Sequence, residues 1–129
     1  MKVHHVGYLV KNIDKSRNAF RVLGYSEISE ICYDPYRDVN ILFMRNGNET
    51  IELVSPASDH SPIAPLMKHY RNSPYHICYE TDDIVKDTIL LQNAGYILFD
   101  PPKPAPAIDN RTVCFFQNAN TGITELLEA

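Results

Sequence analysis

This sequence lacks several features that identify common classes of protein. The N-terminal segment MKVHHVGYLVKNIDKS has only a short apolar stretch broken by two histidines, which is typical of neither a signal peptide nor a membrane span. Basic residues are not in excess, because the formal net charge is −4 and charges of both signs are interspersed. We therefore predict a cytoplasmic protein that binds neither nucleic acid nor a membrane.

Cysteine is also scarce, and its spacing argues against a disulfide framework. The three cysteines, Cys32, Cys78 and Cys114, form an odd set without CxxC spacing, which favours reduced thiols in apolar strands. The chain has 129 residues, of which 44% are hydrophobic. This length and composition are enough to bury a normal core and favour one domain.

What the sequence does contain is an internal repeat. Identical residues recur 71 positions apart. They are His5 and His76, Tyr8 and Tyr79, Ile13 and Ile84, Gly24 and Gly95, and Tyr25 and Tyr96. Glu52 and Glu125 correspond if the second copy is two residues longer, which keeps the same strand face because side chains alternate with period two. Two copies of one unit are predicted.

The first copy reads as a strand, a helix and three further strands. Asn12 and Asp14 offer caps for a helical stripe that stops at Gly24, and Asn46-Gly47 is a hairpin signal. The predicted strands are Val3–Val10, Tyr25–Tyr33, Val39–Arg45 and Thr50–Val54, with the helix beginning at Ile13.

A proline-containing linker, residues 56–73, with a short helix at Pro65–Tyr70, leads to the second copy. Here we predict strands at Tyr75–Thr81, Tyr96–Phe99, Arg111–Gln117 and Ile123–Glu128, and a helix at Asp83–Ala94 that Gly95 ends. Pro101–Asn110 holds four prolines and is predicted to be a stiff extended loop, neither strand nor helix.

The predicted fold class is α+β, with two βαβββ modules in a single domain over residues 1–129. Module one covers 1–55 and module two covers 74–129. Because strand twist curves each module, the two can pair edge to edge into an open, barrel-like sheet around a cleft.

The repeated histidines and glutamates predict a metal site in that cleft. His5 and its neighbour His4 point to opposite faces of the strand, and the repeat selects His5, since Tyr75 precedes His76. Singly, a histidine in a strand is more often a hydrogen-bonded core or surface residue, and a glutamate near a strand end is usually solvated. Together, His5, Glu52, His76 and Glu125 predict one divalent ion (Ni, Co, Zn, Mn or Fe), with about two positions open for a substrate that carries neighbouring oxygens.

The segments HHVGYLVKNIDKS, TIELVSP, YHICYETDDI and TGITELLE, in this order, resemble the vicinal oxygen chelate (glyoxalase/bleomycin resistance/dioxygenase) superfamily over essentially the whole chain. The four-ligand set is similar to that of bacterial-type glyoxalase I (lactoylglutathione lyase). The linker and the strand YHICYETDDI look more like methylmalonyl-CoA epimerase. The extradiol dioxygenases use two histidines and one glutamate, so Glu52 argues against them.

The resemblance implies a metal-dependent lyase or isomerase that moves a proton next to an oxygen-bearing carbon through an enediolate or enolate. Glu125 is then the first choice for a base that also binds the metal, with Glu52 as the facing ligand that donates a proton. The epimerase type has a second carboxylate near the turn before the third strand. Asp38 stands there, and whether it serves as a second base is left open.

The substrate-binding residues are less clear from the sequence. We single out Arg111, which follows a loop expected to border the cleft, and the strand aromatics Tyr8, Tyr79, Phe43 and Phe115 as apolar lining, although strand aromatics are more often core. Glu80 is expected in solvent at a strand end. Most other cations near the cleft are expected to be solvated: Lys68, His69, Arg71 and Lys103.

The expected partner is a small-molecule substrate such as a glutathione or CoA thioester, and the resemblance implies a homodimer. Two other classes of function stay open. One is a small-molecule-sequestering resistance or binding protein of the same superfamily, and the other is a protein-interaction domain. The sequence does not choose the metal, the substrate, or whether the site lies within one chain or between two.

Overall fold

The computed structural model describes all residues, Met1–Ala129. It has an α+β fold of nine strands and three α helices, which confirms the predicted class. The strands are β1 Lys2–Leu9, β2 Ser26–Glu27, β3 Cys32–Asp34, β4 Val39–Asn46, β5 Glu49–Pro56, β6 Ser73–Thr81, β7 Ile97–Ala105, β8 Arg111–Asn118 and β9 Gly122–Glu128. The helices are α1 Ile13–Val22, α2 Met67–Tyr70 and α3 Ile84–Asn93. None of them has the length and hydropathy needed to cross a membrane.

The chain divides into two compact units. The first unit is His5–Tyr75, and the second is His76–Ala129 together with Met1–His4. The predicted linker, residues 56–73, falls within the first unit. The second unit has the predicted βαβββ order, and the first differs from it in having two short strands, β2 and β3, where one strand was predicted.

In the first unit the strands lie in the order β2-β4-β5-β1, with β3 also paired to β4. Strand β1 runs parallel to β5, and β4 and β5 form an antiparallel hairpin. The apolar core lies between this sheet and α1 and is formed by the buried residues Val10, Ile13, Leu42, Met44, Ile51 and Leu53. Their burial is the main stabilising contribution here, at about 25 cal/mol per Å² of apolar surface.

The second unit repeats this arrangement with the order β6-β9-β8-β7. Strand β6 is parallel to β9, which is antiparallel to β8. Its core is formed by Ile84, Cys114, Phe116 and Leu126. All three cysteines are free, as predicted, and Cys78 and Cys114 are buried.

Equivalent caps hold the two longer helices. The side chain of Asn12 accepts a hydrogen bond from the backbone N–H of Lys15, and that of Asp83 accepts one from Lys86, both at 2.9 Å. At the other end the chain turns through Gly24 and Gly95, whose φ angles are +99° and +92°. Because residues with a Cβ rarely adopt this conformation, glycine at these two positions lets the chain leave each helix and turn toward the next strand.

The prediction of one strand over Tyr25–Tyr33 is wrong in its middle. Residues 26–27 and 32–34 are short strands, and the chain between them leaves the ladder. The N–H of Phe43 on β4 instead donates to the side-chain hydroxyl of Ser29 at 3.0 Å. A serine side chain can replace a backbone acceptor in this way. The bond to Ser29 therefore interrupts the strand that the β-branched Ile28 and Ile31 favour.

The prediction of a loop over Pro101–Asn110 is also wrong in its first half. Strand β7 continues to Ala105, and a short 3₁₀ turn, Pro106–Ile108, follows. Strand β7 is an edge strand, because it pairs only with β8. An edge strand tolerates proline, which has no N–H to donate, and two register shifts absorb the irregularity.

Candidate metal and active site

In the first unit a buried histidine and a buried glutamate face each other on adjacent strands. Glu52 on β5 lies opposite Gly7 on β1 in the parallel register. His5 precedes Gly7 by two residues, so it shares a face with Glu52. His5 Nε2 and Glu52 Oε2 are 3.7 Å apart, and the two residues are only 1% and 4% exposed. We refer to His5 and Glu52 as the first pair.

The second unit contains the matching arrangement, the second pair. Glu125 on β9 lies opposite Cys78 on β6, two residues after His76. His76 Nε2 and Glu125 Oε2 are 3.0 Å apart, and the residues are 3% and 2% exposed. Because His76 and Cys78 are two residues apart on one strand, the imidazole and the carboxylate share a face here as well.

A phenylalanine ring packs beside each pair. Phe43 on β4 is directly opposite Glu52, and Phe115 on β8 is directly opposite Glu125. Each ring contacts the neighbouring imidazole edge to face, with centroids 5.2 Å apart for His5–Phe43 and 5.4 Å for His76–Phe115. These separations lie within the range of favourable aromatic pairs. The apolar ring limits the orientations that each imidazole can adopt.

The different offsets along the sequence have a simple structural cause. Phe115 lies 72 residues after Phe43, whereas Glu125 lies 73 after Glu52. The β4–β5 turn has two residues between the paired Asn46 and Glu49, and the β8–β9 turn has three between Asn118 and Gly122. The extra residue lies in a turn, so the register of both ladders is unchanged.

The four residues together make up the candidate metal-ligand group of the chain. Burying a carboxylate is costly unless it is paired or binds a metal. Ligand atoms that bind one ion at about 2.1 Å and at right angles are about 3 Å apart, which the second pair matches. A hydrogen bond between histidine and glutamate would explain one such pair. Two buried pairs in the same register fit the nitrogen and oxygen ligand set of a divalent cation better.

The comparison with protein families extends over most of the chain. Residues 4–115 match the model of the Glyoxalase/Bleomycin resistance protein/Dioxygenase superfamily. The chain belongs to this superfamily. The match includes His5, Glu52 and His76 and ends before β9, so Glu125 is assigned from the register described above.

The superfamily members most similar to the chain include epimerases. Over 132 residues, 98% of this chain and 78% of the relative, it is 30% identical to methylmalonyl-CoA epimerase, mitochondrial, of Dictyostelium discoideum. It is also 30% identical over 84 residues to the mouse enzyme of the same name, and this alignment spans 64% of the chain and about half (47%) of the mouse protein. The chain is thus a homologue of enzymes of the epimerase type.

A solved structure supports the same fold. The crystal structure of methylmalonyl-CoA epimerase from Mycobacterium tuberculosis superposes with a TM-score of 0.83, over 98% of this chain and 87% of that one, at 18% identity. At this identity the likeness shows the superfamily fold alone.

Two tyrosines predicted to line the substrate pocket lie elsewhere. Tyr8 packs against the core of the first unit, with its ring 5.1 Å from that of Phe20 on α1. Tyr79 packs in the equivalent place against the core of the second unit. The prediction for Tyr8 is therefore revised. It is one residue away from Gly7, so strand alternation turns it to the helix side.

Arg111 is held by the protein's own groups. Its Nη2 is 2.6 Å from Glu80 Oε2, and its Nε donates to the carbonyl oxygen of Glu128 at 2.8 Å. Hydrogen bonding from Arg111 lowers the pKa of Glu80. Glu80, expected in solvent, is partly buried in this ion pair, so Arg111 is better described as a cross-link between β8, β6 and β9 than as an open anion site.

Asp38, the possible second base, lies in a left-handed turn with a φ of +51°. Its carboxylate accepts hydrogen bonds from the hydroxyls of Ser58 and Tyr33, and these bonds lower its pKa. Its carbonyl oxygen accepts from the N–H of Ala57 at 2.9 Å. A carboxylate stabilised in its ionised form is a weaker base, and these contacts give Asp38 a role in joining the linker to the β3–β4 turn.

The other cations named from the sequence are placed as expected or are locally paired. Lys68, His69 and Arg71 are exposed in the linker. Lys103 on β7 forms an ion pair with Asp100, with Nζ and Oδ1 2.6 Å apart.

One residue near the second pair was missed by sequence analysis. Phe99 on β7 is 51% exposed, and its ring centroid lies 6.2 Å from that of Phe115. It was predicted only as the end of a strand. A large aromatic residue two positions before a proline cluster was the available signal, since a bulge in an edge strand often redirects a side chain.

Proposed function

We propose that this protein is a divalent-metal-dependent epimerase that inverts the carbon next to the thioester carbonyl of a methylmalonyl-CoA-type substrate. The observation that carries the proposal is the buried histidine–glutamate pair that occurs twice in the same strand register. The homology of the chain to methylmalonyl-CoA epimerases supports epimerisation over the reaction of a glyoxalase I-like lyase.

His5, Glu52, His76 and Glu125 would hold one cation between them, as two nitrogen and two oxygen ligands. Such a set would leave room on the cation for neighbouring substrate oxygens. When bound, the cation supplies Lewis-acid stabilisation of the negative charge that develops as the proton leaves. The two imidazoles would contribute the nitrogen ligands, and the rings of Phe43 and Phe115 keep them oriented.

Inversion needs a proton to leave one face of the carbon and another to arrive on the opposite face. Glu125 and Glu52 are the proposed acceptor and donor. Each carboxylate has two oxygens, so one can ligate while the other moves a proton. Their burial removes competing water, which favours transfer to the substrate carbon. Asp38 is a poorer candidate because its hydrogen bonds lower its pKa.

The test is proton exchange at the substrate carbon in D₂O, followed by NMR, with the metal content of the same preparation measured. We expect deuterium to enter methylmalonyl-CoA in the presence of the wild-type protein, and Glu125→Gln to slow this exchange at least about 100-fold. Glu128→Gln on the same strand is the matched control and should exchange normally.

Two results would contradict the proposal. Exchange that is equally fast in Glu125→Gln would remove its proton-transfer role. Tight binding of the thioester without exchange in the metal-loaded wild-type protein would favour the sequestering function instead.

A further inference from the structure

Strand β7 contains a bulge at Phe99. Leu98 lies opposite Phe116 and Asp100 lies opposite Phe115, so β7 advances two residues where β8 advances one. Phe99 is the additional residue. A bulge changes the direction of the side chain at this point, and bulges are frequent beside active sites.

The bulge places Phe99 in a line of rings that begins at a proposed metal ligand. The Phe115 ring contacts the His76 imidazole with centroids 5.4 Å apart, and the Phe99 ring contacts Phe115 with centroids 6.2 Å apart and an angle of 38°. Phe115 is partly buried, and Phe99 is 51% exposed. We call Phe99 and Phe115 the aromatic ledge. It leads from the buried second pair to solvent.

The first unit has no matching ledge. Phe43 is 6% exposed, and its carbonyl oxygen accepts a hydrogen bond at 3.0 Å from the backbone N–H of the aliphatic Ile28, which follows β2. The ledge is therefore a feature of one unit and not a consequence of the repeated fold.

An added strand from a second copy of the chain is a poor occupant for this edge. Pro101, Pro102 and Pro104 follow Phe99 on β7 and cannot donate to another strand. A small molecule that lies across the exposed ring is compatible with the same geometry.

We propose that the aromatic ledge binds the pantetheine-type arm of the acyl carrier, the sulfur-linked chain of methylene and amide groups that joins the acyl group to the nucleotide in a CoA thioester. This inference rests on the proposed function and specifies which part of the substrate Phe99 recognises. Methylene groups and a thioester sulfur pack favourably on aromatic faces.

The order of the rings assigns the arm, and not the reacting acyl group, to Phe99. The carbon that exchanges its proton must lie beside the buried carboxylates, and Phe115 lies between Phe99 and His76. Phe99 is therefore one ring farther from the reaction centre. The part of the substrate that extends away from the thioester is the part that reaches it.

The experiment compares two substrates with the same acyl group, the CoA thioester and a truncated S-methyl thioester. Dissociation constants are measured by calorimetry with the metal-loaded full chain, so that the result does not depend on turnover. We expect Phe99→Ala to weaken binding of the CoA thioester about tenfold and to leave the truncated thioester unchanged. Phe99→Leu should recover part of the loss.

Ile97→Ala is the matched control, because Ile97 lies on the same strand and is 67% exposed. Thermal unfolding of each variant shows that the fold is retained. Equal weakening of both thioesters, or no weakening of either, would overturn the inference, as would a wild-type protein that does not bind the CoA thioester. Binding with the expected pattern but without proton exchange would support the ledge and contradict the proposed epimerase function.

Discussion

The two histidine–glutamate pairs share a strand register but differ in their surroundings. The Nε2–Oε2 distance is 3.7 Å in the first pair and 3.0 Å in the second. The phenylalanine beside the first pair is buried, whereas the one beside the second is partly buried and continues to the exposed Phe99. The strand register sets the position of the proposed metal-ligating side chains, and the edge strand determines which side chains lie beside them.

This difference arises from the strand that flanks each hairpin. In the first unit β2 and β3 are short, and Ser29 interrupts the ladder between them. In the second unit β7 has nine residues and contains the bulge. Edge strands make fewer backbone bonds, so they change without disturbing the central register. We expect the first pair to act mainly in ligation and catalysis, and the second pair also to be close to the substrate arm.

The largest expected effect is that replacing Glu125 and replacing Glu52 slow proton exchange of opposite epimers. If each carboxylate serves one face of the carbon, Glu125→Gln should slow deuterium entry by at least about 100-fold from one epimer, and Glu52→Gln from the other. The measurement is exchange of each pure epimer in D₂O.

Glu128→Gln and Glu49→Gln, on the same strands as Glu125 and Glu52, are the controls. Identical losses for both epimers in both variants would show that the two pairs do not divide the proton transfers between them.

A smaller effect is expected on stability. Phe43 is 6% exposed, and Phe43→Ala should lower the free energy of unfolding by about 3–5 kcal/mol, as buried large-to-small changes do. Phe115 is only partly buried, so Phe115→Ala should cost about 1–2 kcal/mol. Urea unfolding measures both values, and equal costs would remove the contrast between the two phenylalanines.

Much of the fold and the candidate ligands could be predicted from the sequence, because the signals are local. The repeat placed His5 and His76 on corresponding strands, and Asn12, Asp83 and the two glycines marked the helix ends. Tyr8 shows the limit of this approach. Its strand face follows from alternation with His5, but an aromatic residue near the ligands still suggested a pocket, and only packing against Phe20 assigns it to the core.

The parts that could not be predicted depend on contacts distant in sequence. The strand character of Pro101, Pro102 and Pro104 depends on β7 being an edge, and the order of strands in the sheet decides that. The ion pair of Arg111 with Glu80 joins residues 31 apart in the chain. Local propensity carries no information about either.

The smallest expected effect concerns the ion pair between Arg111 and Glu80 in the second unit. The hydrogen bond from Arg111 lowers the pKa of Glu80 from the ordinary glutamate value of 4.5. A lowered carboxyl pKa adds stability above the unfolded pKa, and this stability is lost as the pH falls through the folded pKa. Glu80→Gln should therefore lower the free energy of unfolding near pH 7 by less than about 1 kcal/mol.

The difference between Glu80→Gln and wild type should shrink as the pH falls below about 4.5, the unfolded value. Thermal unfolding across this range tests the sign. A difference that grows in acid would contradict the assignment of Glu80 as an ionised partner of Arg111.

In the proposed site the two pairs share one cation, and the metal stoichiometry of the protein tests this claim. We expect one divalent ion per wild-type chain, measured by elemental analysis after dialysis, and loss of that ion in both His5→Ala and His76→Ala. His69→Ala, an exposed histidine in the linker, should retain it. Two ions per wild-type chain, or a full ion retained by either pair variant, would contradict the claim.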